Sequence, residues 1–257
     1  MDNRAIILLA GTEKALRRLM ENGALDIALL CEKGRRLGRR FTYAAVAGLD
    51  AEVNRTLVTL SDRCMEKTSE MMRSAARTAG LEEKDDEESV LAWVRASRWG
   101  ENERERSDSY CSHLKYILEG WLAIGFAKDW SAALIAEKAA SDLNPYLTPE
   151  WKEAVREEDY GPEILAEPGG YRWGKGTPVS PAKGVALGAG AMVTAALRHS
   201  ELIKYGRLGA VGYRVRRGSN YPCALCDSLC GITWPIDMEV LPAHPHCVCY
   251  AEPVYYE

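Results

Sequence analysis

The sequence predicts a mainly α protein that ends in a small β-containing module, and three observations predict it. Apolar residues recur three and four apart through most of the chain before about residue 205, the period of a helix with one buried face. One short segment near the end, "AVGYRVRR", alternates apolar and basic residues, the period of a strand. Cysteine and histidine, sparse elsewhere, crowd the stretch 221–249, "YPCALCDSLCGITWPIDMEVLPAHPHCVC", which holds five of the eight cysteines and two of the four histidines.

With 257 residues the chain is long enough for one large domain or two ordinary ones. Apolar residues make up 47% and charged ones 27%, the balance of a globular protein, so wholesale disorder is excluded. A net charge of −4 does not mark a general nucleic-acid binder. Phe is nearly absent (2) while Tyr (12) and Trp (7) are well supplied, which suits partly buried surfaces. The apolar run Ala5–Ala10 is too short for a signal peptide. The longest uncharged stretch, Gly184–Leu197, falls short of the roughly 20 residues that span a bilayer. Synthesis in the cytoplasm is therefore expected, which disfavours disulfides.

Taken in order, residues 1–108 form an N-terminal helical region. In "IILLAGTEKALRRLMENGALDIALLCEKG" the apolar residues share one face while Arg17, Arg18 and Glu21 take the other, and Ala44–Arg77 continues in the same way. The acidic run Glu82–Glu88 reads as a solvated loop or a first helical turn, because carboxylates complement a helix N-terminus. Residues 109–205 form a second helical region. Within 110–143 one helix is expected to end near Gly120–Gly125, and another to begin at Trp130-Ser131 with Ser131 or Asp129 as cap. Cys111 and His113, two apart on the first of these, point to different faces and read as structural residues.

The segment Glu157–Lys183 carries five glycines and four prolines and reads as a long loop. Trp173 and Tyr171 in it would pin the loop to its own protein or anchor a partner. Ala186–Tyr205 reads as one helix rich in small residues, stopped by Gly206 and Gly209. Residues 206–257 make the C-terminal module. Its strand places Tyr213, Val215 and Arg217 on one face and Arg214 and Arg216 on the other.

Cys223-Ala-Leu-Cys226 has the spacing at which a tight turn lets two thiolates grip one Zn²⁺ while backbone N–H groups point at the sulfurs. After seventeen intervening residues, His244-Pro-His-Cys247-Val-Cys249 supplies a second half, as in a ribbon with one knuckle on each arm of a hairpin. Cys223 and Cys226 are the firm pair, and His244 with either Cys247 or Cys249 completes a tetrahedron. Cys247 and Cys249 share a face if the segment is extended, so both can reach the metal. Cys230 and His246 are surplus. A thioredoxin-like dithiol would need a βαβ unit, and none precedes Cys223. A Cys–His nucleophile would leave the other cysteines unused. With no Glu beside a ligand, a structural zinc with four protein ligands fits better than a catalytic one, and no enzymatic activity is expected. The fold class is thus an elongated helical body with a small C-terminal β-hairpin/zinc-knuckle module, α+β.

Three segments in this order resemble the Mu F-like minor head (head morphogenesis) proteins of tailed bacteriophages and prophages. They are the helix pair "YILEGWLAIGFAKDWSAALIAEKAA" (116–140), the helix and strand "AMVTAALRHSELIKYGRLGAVGY" (191–213), and "PCALCDSLCG … LPAHPHCVC" (222–249). The family's Arg-Thr-Glu is written here Arg198-His199-Ser200-Glu201. The resemblance covers roughly 110–254 and makes 109–205 the family's helical core. It implies a virion component made in the bacterial host cytoplasm, present at the portal vertex or capsid interior in few copies. Its partners would be portal, major capsid or scaffold proteins, and its work head assembly or DNA packaging and delivery. With eight residues after Cys249, no fused toxin domain is expected.

Between Gly184 and Asn220 stand six basic residues, Arg198, Lys204, Arg207, Arg214, Arg216 and Arg217, against one acid, Glu201. Such a stripe is a candidate contact for packaged DNA, without sequence specificity, or for an acidic partner surface. The alternative function is a cellular or prophage zinc-knuckle module that binds nucleic acid from a helical scaffold.

Overall fold

A computed structural model of the chain describes residues 3–140, 145, 180–245 and 247–256. Trp173, Tyr171, His246 and most of the 157–183 segment lie outside the described residues. The protein is mainly helical with a small antiparallel sheet near the C-terminus, as the sequence predicts. Among the described residues the α-helices are α1 (Asn3–Cys31), α2 (Leu49–Ala79), α3 (Lys84–Ala96), α4 (Glu103–Ala127), α5 (Ala132–Ala140), α6 (Pro181–Arg207) and the short α7 (Ala224–Leu229). The strands are β1 (Gly212–Arg216), β2 (Thr233–Pro235) and β3 (Tyr250–Val254).

The residues gather into two compact units, each discontinuous in sequence. One comprises Met1–Ala15, Met65–Glu103 and Ala186–Glu257; the other comprises Leu16–Cys64 and Arg104–Val185. The second unit is built on helical periodicity. Leu16, Met20, Ala24, Ile27, Ala28 and Cys31 of α1 are all buried, spaced three and four apart. Leu49, Val53, Leu57 and Leu60 of α2 do the same. The two helices touch closely at Gly23, where a Cβ would come within 2.5 Å of Leu60 Cδ2. The connector after α1 is held to α4 at Tyr43: its N–H donates to Glu119 Oε1 (2.8 Å) and its hydroxyl to the Lys115 carbonyl (2.9 Å).

Helix α4 does not end at its glycines. It runs through Gly120 and Gly125 to Ala127, and every residue from Gly120 to Phe126 is buried. Burial on all sides outweighs a helix-propensity cost of about 1 kcal/mol per Gly. Gly125 is needed there, because a Cβ would meet Ile135 Cγ1 of α5 at 2.4 Å. Ser131 is the cap of α5, its Oγ accepting from the Leu134 N–H (3.3 Å).

The first unit packs small side chains densely. Ala5 and Leu8 of α1, Met72, Ala75, Ala76 and Ala79 of α2, Val90, Leu91 and Val94 of α3, and Met192–Leu197 of α6 share one core. The acidic run before and within α3 is not simply solvated: Glu87 is buried on Arg77 (2.9 and 3.0 Å), and Asp86 takes a bidentate grip from Arg207 (2.6 Å twice). Helix α6 starts five residues earlier than the periodicity suggests. Ser180 Oγ caps the Lys183 N–H (3.2 Å) and Pro181 takes the first helical position, where a missing N–H costs nothing.

The sheet has the order β2-β1-β3, antiparallel throughout. A third strand thus joins the expected hairpin. Tyr213 and Val215 face inward while Arg214 and Arg216 face solvent. The inner face meets Leu202 of α6, Cys226, Leu241, Cys247, Cys249 and Ala251 in a second core, so the cysteines themselves are core residues.

Candidate metal centre

The two halves of the cysteine motif come together. Cys223 stands in extended conformation just before α7, and its carbonyl accepts the Asp227 N–H (2.9 Å), closing the turn that turns Cys226 inward. The first half-site is therefore the start of a short helix and not an arm of a hairpin. The backbone N–H groups of Cys226 and Leu225 face the Cys223 sulfur, and the Cys226 amide most of all holds its thiol below the ordinary value. The second half is an extended run from Leu241 that enters β3. There, against the effect of burial, the neighbouring Cys249 thiol most of all holds the Cys247 thiol below its ordinary value, helped by the Ala243 and Cys249 amides; Cys249 itself is pushed up.

Cys226 is the pivot. Its Sγ lies 3.2 Å from His244 Nε2 and 3.8 Å from Cys247 Sγ. Cys223, Cys226 and His244 bring donor atoms within 4.8 Å of one another, as do Cys226, Cys247 and Cys249. His244 Nδ1 is 2.7 Å from the Pro245 carbonyl. A hydrogen on Nδ1 donated there leaves the Nε2 lone pair facing the sulfurs, the orientation in which a histidine ligates. This cluster could hold a metal ion.

The remaining thiols do not join it. Cys230 lies outside both groups, paired through its backbone with Val215. Cys31, Cys64 and Cys111 are buried in the other unit, and burial pushes each thiol up to about 12, which leaves them inert. His113 is also buried, and desolvation lowers its pKa. Cys111 and His113 are both buried residues of α4, although two apart on the helix.

The six basic residues do not form one stripe. Arg198 is 1% exposed and pairs at 2.7 Å with the equally buried Glu201, so it offers nothing to DNA or a partner. Arg207 is engaged by Asp86, Arg216 by Glu252 across the β1–β3 ladder (2.5 Å), and Arg217 by Asp227 (2.6 Å). Arg214 donates to Thr233 Oγ1 (3.3 Å), and Lys204 is exposed. Counting charges between Gly184 and Asn220 missed the partners of Arg207, Arg216 and Arg217 because Asp86, Glu252 and Asp227 all lie outside that stretch.

Sequence reasoning also missed the polar layer that packs the module onto α6. Glu201 accepts from Arg4 (2.7 Å) as well as Arg198. His199 stacks on Trp93 with centroids 4.1 Å apart, and its Nδ1 meets Glu239 at 3.1 Å. Burial raises the Glu239 carboxyl. Only the i, i+3 spacing of Arg198 and Glu201 hinted at any of this.

No family model, curated protein or solved structure matches the chain. Among the described residues, no helix is long and apolar enough to cross a membrane.

Proposed function

We propose that the protein is a non-enzymatic head-morphogenesis component of a tailed phage or prophage whose C-terminal module is closed by one structural zinc ion. The observation that carries the metal half of this reading is the convergence of Cys223, Cys226, His244, Cys247 and Cys249 across two sequence-distant half-sites. Thiolate and imidazole donors suit zinc. With Zn–S bonds of about 2.3 Å, the edge of a tetrahedron is about 3.8 Å, and the Cys226–Cys247 separation is 3.8 Å. Cys223, Cys226 and His244 with Cys247 or Cys249 would hold the ion, which supplies cross-linking and no chemistry. A clasp of this kind stabilises a segment of short strands and loops that could not bury enough surface alone.

The phage half rests on the order of the three resembling segments. The cysteine motif, the Arg198–Glu201 helix turn and β1 all belong to one compact unit. Engagement of Arg207, Arg216 and Arg217 by carboxylates lowers the free positive charge that a nucleic-acid-binding module would need. The test is co-expression of the chain with the portal, scaffold and major capsid proteins of its own genome. It is expected to sediment with procapsids in few copies per particle. Particles that assemble with normal yield and shape without it, and never contain it, would rule the reading out.

A further inference from the structure

The segment that leaves β1, Arg217-Gly218, touches both halves of the clasp. Arg217 Nη1 donates to Asp227 Oδ1 (2.6 Å) and to the Cys223 carbonyl (3.2 Å), and Nη2 donates to the Tyr221 carbonyl. One guanidinium thus spans the turn that carries Cys223 and Cys226, from the residue two before the first ligand to the residue after the second. On the other side, Gly218 lies against the strand of the second half-site. Its N–H donates to the Cys249 sulfur, and a Cβ there would come within 1.8 Å of the Val248 carbonyl oxygen.

Charge adds a second reason. A divalent ion with three thiolates and a neutral imidazole carries a net −1. Against its desolvation, the Arg217 charge is stabilised first by the Asp227 carboxylate and then by the Cys249, Cys226 and Cys223 sulfurs when ionised. Its side chain is one quarter exposed, so part of that charge is sheltered from solvent. Of the six basic residues between Gly184 and Asn220, Arg217 is the one whose guanidinium binds the ligand turn itself.

We infer that Arg217 is a positioning residue of the metal centre: it fixes the Tyr221–Asp227 turn through three acceptors, holds it in register with Gly218 and the Cys247–Cys249 strand, and balances the charge of the thiolates. The inference rests on the metal reading above.

The experiment is zinc binding to the full chain by competition with a chromophoric chelator, for wild type, Arg217→Ala and Arg217→Lys, with urea unfolding of each in excess chelator. Wild type is expected to take up one zinc. Arg217→Ala should bind it ten- to a hundred-fold more weakly, the loss typical when an outer-shell partner is removed. Arg217→Lys should recover part of that affinity, since a point charge replaces the fork that reached three acceptors. The metal-free proteins should unfold at the same urea concentration. Absence of zinc from the wild type overturns the metal reading. Zinc bound equally tightly by wild type and Arg217→Ala overturns the role of Arg217 alone. So does a loss of zinc affinity matched by an equal loss of stability in the metal-free state.

Discussion

Arg198 shows how far a residue's role depends on partners that lie outside its own segment. It sits at the centre of a basic stretch, yet it is sealed in the interior with Glu201, which also holds Arg4 from the start of α1. Removing one partner of a buried pair leaves the other charge desolvated, at a cost of about 3–5 kcal/mol. Arg4 remains on Glu201, so Arg198→Met should cost about 3 kcal/mol, at the lower end of that range. Urea unfolding at neutral pH measures it; a change within about 0.5 kcal/mol, the range of ordinary surface substitutions, would show that the pair is solvated in solution. The same contrast marks what was legible at this scale. That Cys223, Cys226, His244, Cys247 and Cys249 would gather into a cluster able to hold a metal was legible because metal chemistry restricts spacing and residue type. The acid that meets Arg207 was not, since Asp86 is 121 residues away and local pattern says nothing of such a pair.

At the scale of elements, helical periodicity located α1, α2 and α6 to within several residues, because each buries one stripe. Alternation located β1 for the same reason. Errors fell where packing overrode propensity. Glycines suggested a stop inside α4, but Gly125 is there to admit Ile135 of α5. Conversely, the start of α6 was written in Ser180-Pro181, a cap followed by a first-turn proline, and was hidden by the proline and glycine content around it. Gly125→Ala tests the packing account. Overpacking costs about 1–3 kcal/mol and the gain in helix propensity offsets about 1. A net loss of about 1 kcal/mol is expected in the unfolding midpoint; a gain equal to the propensity difference would mean that α4 and α5 are not in close contact.

For the molecule as a whole, neither compact unit follows a single run of sequence, and periodicity has no means of revealing that. The C-terminal module belongs to a unit that also contains the start of α1, the second half of α2, all of α3 and the greater part of α6. Val248, between the two last cysteines, packs on the alanine-rich core, and Arg98 donates to the Pro242 carbonyl (2.8 Å). Closing the clasp is thereby linked to the helices of its own unit. If a zinc ion closes the clasp, elemental analysis of the full chain purified without chelator will find it. One zinc per chain is predicted, falling well below one in Cys223→Ser. Protein that carries no metal, with Cys223 and Cys226 joined in a disulfide, would contradict it.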